Sequence, residues 1–107
     1  MNQIEATEAG GYRVVAVAGE VDLSWSSELR TAILDALSKH AAVLVDLSAV
    51  SYIDSSGIAA LVEGYQTAKG KNARFGLLAI SDAVKAVLEL ARLDQVFPIY
   101  ADLEAAG

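Results

Sequence analysis

Hydrophobic and polar positions change period several times along this chain. Residues 3–7 (QIEAT) alternate weakly, Gly10-Gly11 reads as a turn, and YRVVAVAG (12–19) is rich in β-branched residues. Together they predict an antiparallel hairpin. After the GEVDLS turn the spacing becomes helical. Leu29, Ala32, Ile33, Ala36 and Leu37 form one apolar face of a helix of about 14 residues. Ser24 is its expected N-cap. His40 falls at its C-terminal end, where a partly cationic ring suits the helix dipole.

AVLVDL (42–47) is short and apolar on both faces, the pattern of a central strand covered on both sides. From Ser55 the helical period returns at Ile58, Leu61, Val62 and Tyr65, and AKGKN closes that helix. ARFGLLAI (73–80) reads as another buried strand. Ser81 is placed to cap a helix whose Val84, Val87, Leu88 and Ala91 face inward. VFPIY (96–100) is a last strand, and Pro98 assigns it to an edge because it cannot donate a ladder hydrogen bond. DLEAA adds a short helix.

The order β-β-α-β-α-β-α-β predicts one compact α/β domain over 1–107. Its mixed sheet has an antiparallel N-terminal hairpin, and the remaining strands are mostly parallel with right-handed crossovers.

Composition narrows the function. With 107 residues the chain is long enough for a core without metal or disulfide support. It has no cysteine and a single histidine, so no thiolate metal site or disulfide framework is expected, and no metal or cofactor is assigned. The net charge of −6 disfavours nucleic acid and suits a basic or mixed-charge protein partner. No apolar run approaches membrane-spanning length, and the polar, acidic N-terminus does not resemble a signal peptide. A cytoplasmic protein without direct membrane insertion is expected.

The chemistry concentrates in YIDSSGIAALV. A central strand ends, and Asp54, Ser55 and Ser56 stand where the next helix begins. Functional sites of parallel sheets gather beyond the carboxyl ends of the strands. Asp22 ends the GEVD turn in the same way and is placed to approach Asp54. One reading of D-S-S-G is a plain helix cap. The other is a phosphoacceptor serine, since a helix N-terminus offers free N–H groups and the positive end of a dipole. A phosphate there adds about −1.5 to −2 charges without melting the helix.

GEVDLSWSSELRTAI, followed by VLVDLSAVSYIDSSGIAALV, resembles the STAS domains of bacterial anti-sigma-factor antagonists. FGLLAISDAVKAVLELARLDQVFPIY resembles the closing strand, helix and strand of that family, so the resemblance spans nearly the whole chain. It implies a phosphoprotein that regulates transcription by partner switching. The unmodified antagonist binds an anti-sigma factor that is also a serine kinase, and a sigma factor is freed. The kinase then phosphorylates the antagonist, which lets go, and a serine phosphatase resets it. Carried over residue by residue, Ser55 is the phosphorylated serine. Asp22, Asp54, Ser56 and Gly57 belong to the partner-binding surface. Trp25 in DLSWSSEL is either an edge-packing indole or a partner anchor, since tryptophan is enriched at interface hot spots.

Other classes fit less well. A serine hydrolase lacks its G-x-S-x-G elbow, and the lone histidine sits at a different helix end; no catalytic residue is assigned and the protein is not expected to be an enzyme. A receiver-type domain phosphorylated at Asp46 lacks the acidic pair and the lysine it needs. The alternative retained is a soluble STAS subunit regulating a membrane transporter of the lipid ABC type.

Overall fold

A computed structural model describes residues 2–107. Five strands form one sheet in sequential order: β1 (Gln3–Ala9), β2 (Tyr12–Val21), β3 (Ala42–Ile53), β4 (Arg74–Leu78) and β5 (Ile99–Tyr100). β1 and β2 are the expected antiparallel hairpin, and Gly10 and Gly11 at its turn take positive φ. The pairs β2/β3, β3/β4 and β4/β5 are all parallel. The crossovers carry α1 (Ser26–Lys39), α2 (Ser55–Gly70) and α3 (Asp82–Leu90), and α4 (Leu103–Ala106) closes the chain.

Alternation along the strands sorts the core onto two faces. Val15 and Val17 of β2 and Val43, Val45 and Leu47 of β3 pack with Leu29 and Ile33 of α1, Ile58 and Leu61 of α2, and Val84 and Leu88 of α3. The opposite face holds a smaller cluster of Tyr12, Val14, Leu44, Leu78 and Ala106, with Leu103 of α4 against it. β3 is therefore covered on both sides only over its first half. Asp46 and Ser48, further along on the face of Leu44, lie outside that cluster and remain half-buried and exposed, respectively.

Several expected boundaries move, each for a physical reason. β3 runs on through 48–53, where a loop was expected. Those residues pair with Ala18–Val21 across register shifts, and the bulges hide the strand's period of two. β4 ends at Leu78 because Ala79 turns to a positive φ of 51°. Asn72, not Gly70, supplies the left-handed residue after α2. Ala91 is the exposed cap of α3 and not part of its buried face. Ser81 caps α3 as expected, accepting from the Val84 N–H.

Candidate functional site

Val21 and Ile53 are register partners at the carboxyl ends of β2 and β3. Asp22 and Asp54 are the next residues of each strand. The Asp54 N–H donates to the Val21 carbonyl at 3.2 Å, which ties the two strand exits together. The adjacency of the two loops expected from the sequence is therefore built by the parallel pairing itself.

Asp54 is the N-cap of α2, with extended backbone. Its Oδ1 accepts from the Ser56 N–H at 2.9 Å, the Gly57 N–H at 3.3 Å and the Ser56 hydroxyl at 2.5 Å. The Ser56 hydroxyl is the main cause of a carboxyl held below its ordinary range. Partial burial opposes that shift, and the backbone N–H groups of Gly57, Ser56 and Leu23 add to it. A group depressed in the folded state stabilises the fold above the unfolded pKa, and that contribution fades as pH falls through the native value. The stability advantage of the parent over Asp54→Ala should therefore shrink as pH drops below the ordinary carboxylate range. Asp54→Asn should retain much of the cap without that pH dependence. Denaturant titrations of the three proteins at neutral and acid pH check both statements.

Asp22 repeats the arrangement. Its Oδ1 accepts from the Ser24 N–H at 3.0 Å and the Ser24 hydroxyl at 2.6 Å, and its carbonyl accepts from the N–H groups of Trp25 and Ser26. Ser24 is thus a donor to Asp22 and not the N-cap of α1, as the sequence suggested. Trp25 holds the N-cap position without a side-chain cap, and its half-buried ring packs against the core.

The two Asp-x-Ser units differ at the middle residue. In the first it is Leu23, 78% exposed, and in the second it is Ser55, also exposed. Ser56 spends its hydroxyl on Asp54, whereas the Ser55 hydroxyl has no protein partner among the described residues. Gly57 lies under the helix and not on the surface. A Cβ there would come within 2.6 Å of Ile53 and 2.8 Å of Val21, so its lack of a side chain lets the first turn of α2 settle on both strand ends.

The flank of the site is fixed by an ion pair between helices. Arg30 of α1 donates through Nε to Glu63 Oε1 at 2.8 Å, and its Nη2 lies 2.7 Å from Oε2. Each partner favours the other's charged form: the hydrogen bond raises Arg30 and lowers Glu63. Leu23, Tyr52 and this ion pair were not singled out in the sequence. Leu23, next to Asp22, and Tyr52, two residues before Asp54, are large apolar side chains left exposed. Among the described residues no three His, Cys, Asp or Glu side chains converge, and no helix is long and apolar enough to cross a membrane.

Comparison with known proteins bears on this geometry. The STAS domain model matches residues 3–106. The anti-sigma-F factor antagonist RsfB of Mycobacterium tuberculosis is 27% identical over 104 residues, which are 96% of this chain and 84% of that one. The crystal structure of an anti-sigma factor antagonist from Mycobacterium paratuberculosis superposes with a TM-score of 0.85 at 31% identity, covering 97% of this chain and 89% of the other. The Bacillus cell fate determinant SpoIIAA in its phosphorylated form shares the fold, with a TM-score of 0.72 at 21% identity over 99% of this chain and 96% of that one.

Proposed function

The chain belongs to the STAS domain family, among the anti-sigma-factor antagonists, and from that premise we propose that Ser55 is the phosphorylation switch of a partner-switching protein. Unmodified, the chain docks on an anti-sigma factor and so frees a sigma factor. A serine kinase activity carried by that partner phosphorylates Ser55, the complex dissociates, and a serine phosphatase restores the free hydroxyl. The protein is the switch in this cycle and not its catalyst, and it works in the cytoplasm.

One observation carries the assignment: Ser55 is an exposed, unengaged hydroxyl at the first residue of α2, between two neighbours locked to each other. Phosphoryl transfer needs an oxygen that can approach ATP in line. The Ser55 Oγ forms the new bond to the γ-phosphorus, ADP leaves, and the hydroxyl proton departs to a base. Asp54 is poorly suited to be that base. Its carboxylate is held ionised by the Ser56 hydroxyl and two N–H groups, which lowers its affinity for a proton. The kinase supplies the base.

The product is accommodated by the same features. A phosphate on Ser55 sits at the N-terminus of a 16-residue helix, whose dipole favours negative charge. Arg30, the nearby cation of α1, is engaged by Glu63, so the new charge projects toward whatever docks there. Leu23, Tyr52 and the margin of Trp25 give the docking surface its apolar part, and Asp22 and Asp54 give it an acidic one.

Incubation with the cognate kinase and ATP, followed by mass spectrometry, tests the assignment. A single phosphate on Ser55, and none on Ser55→Ala, is the expected result. Modification of Ser56 or of any other residue in place of Ser55 would remove the basis of the proposal.

A further inference from the structure

β5 is two residues long, and its shortness leaves a notch at the sheet edge. The Leu77 N–H donates to the Pro98 carbonyl and the Ala79 N–H to the Tyr100 carbonyl. Continued backward, this parallel register would bring the nitrogen of Pro98 to the Phe75 carbonyl. That nitrogen carries no hydrogen, so the ladder stops. β4 pairs with β5 only at Leu77 and Leu78, and Arg74, Phe75 and Gly76 have no strand on that side.

Beside them lies a cavity of about 270 Å³, walled chiefly by Tyr65, Lys69, Arg74, Phe75, Pro98 and Tyr100. Phe97 braces the aromatic wall, edge-on to Tyr65 at 5.6 Å between centroids and 6.4 Å from Phe75. Gly76 makes room for Tyr100, whose ring lies 2.8 Å from where a Cβ would stand. The hydroxyls of Tyr65 and Tyr100 have no protein hydrogen-bond partner among the described residues.

The charge of this notch runs against that of the whole chain. The protein carries a net charge of −6, yet no acidic residue lines the cavity. Arg13, Arg30 and Lys39 are each paired with a carboxylate. Lys69 forms no such pair among the described residues, and neither do Lys71, Arg74, Lys85 and Arg92. The Lys69 ammonium stands 6.0 Å from the Tyr65 ring centroid. The Arg74 guanidinium is stacked 4.9 Å over Tyr12 and donates to the Ala106 carbonyl at 3.4 Å, on the sheet face opposite Tyr65 and Phe75, so Lys69 is the cation on the aromatic side of the notch.

We propose that this notch binds a small aromatic anion. Its ring lies against Tyr65 and Phe75, and its carboxylate or phosphate is met by Lys69, with the tyrosine hydroxyls as additional donors. The site is separate from the switch. Lys69 is fourteen residues beyond Ser55 on α2, about 21 Å at 1.5 Å per residue.

Amide-resolved NMR titration of the whole chain with 2-naphthoate, with 1-naphthyl phosphate and with the neutral 2-naphthylmethanol tests the proposal and identifies the anionic group preferred. Saturable shifts centred on Ala68–Phe75 and Tyr100 are expected for at least one anion, with Kd on the order of 1 mM or tighter. The neutral alcohol should bind at least about tenfold more weakly, and Lys69→Gln should cost the anion a similar factor. Lys69 is exposed, so this variant should keep its fold, and its circular dichroism verifies this. The proposal fails if neither anion gives saturable shifts, if the shifts lie away from the notch, or if the alcohol binds as well as the anions.

Discussion

Ser55→Asp folds as stably as the parent and binds the anti-sigma partner at least about tenfold more weakly. The two halves of this expectation have different causes. Stability is preserved because the side chain is exposed and makes no hydrogen bond that the substitution removes. The added carboxylate sits at the first position of α2, where the helix dipole favours negative charge by about 0.3–1 kcal/mol. Melting should therefore move by no more than a few degrees, and upward if at all. Binding is lost because a partner covering the start of α2 must now bury a fresh charge close to Asp54 and Asp22. An uncompensated buried charge costs a few kcal/mol. Ser55→Ala should bind like the parent, since it adds neither charge nor bulk. Thermal unfolding and titration calorimetry on the same three proteins read both halves together.

Leu61→Ala reverses the pattern. Leu61 is 0% exposed and is part of the core between α2 and the sheet. Truncating such a side chain leaves a cavity and costs about 3 kcal/mol. Domains of this size are stable by about 5–15 kcal/mol, so the loss is a large part of the total. The melting temperature should fall by roughly 10–20 °C. The truncated side chain is buried and does not form part of the docking surface, so the molecules that remain folded should bind the partner as the parent does. Taken together, the Ser55 and Leu61 variants separate recognition from folding: one changes what binds, and the other changes only how many molecules can bind. Chemical denaturation gives the first quantity for Leu61→Ala, and calorimetric stoichiometry gives the second.

What could be read in advance depended on whether a feature was local. The apolar faces of α1 and α2 were visible because Leu29, Ile33 and Leu37, and Ile58 and Leu61, recur at helical spacing and are buried for that reason. Asp-Ser-Ser-Gly stood out because it is contiguous and follows a strand, and the family resemblance selected Ser55 within it. Ser24 misled because a serine two residues before a helix resembles a cap. The competing acceptor was its own neighbour Asp22, which takes both its N–H and its hydroxyl. The full length of β3 was hidden by bulges that put Leu47, Val50 and Ile53 three apart, a spacing that belongs to neither a regular strand nor a full helical face. The Arg30–Glu63 pair joins residues 33 positions apart, and only the packing of α1 beside α2 brings them together. The exposure of Leu23 required the same knowledge, because nothing in D-L-S says that the leucine finds no core to enter.

The proposed partner switching by Ser55 rests on a surface hydroxyl whose modification changes recognition without changing shape. The most direct measurement is made on the protein phosphorylated at Ser55 itself: its affinity for the anti-sigma partner by calorimetry, with its amide NMR spectrum recorded on the same sample. An affinity loss of at least about tenfold, with shifts confined to the start of α2 and the Asp22 loop, is the predicted result. Unchanged affinity, or shifts spread through the core with loss of helix, would contradict it.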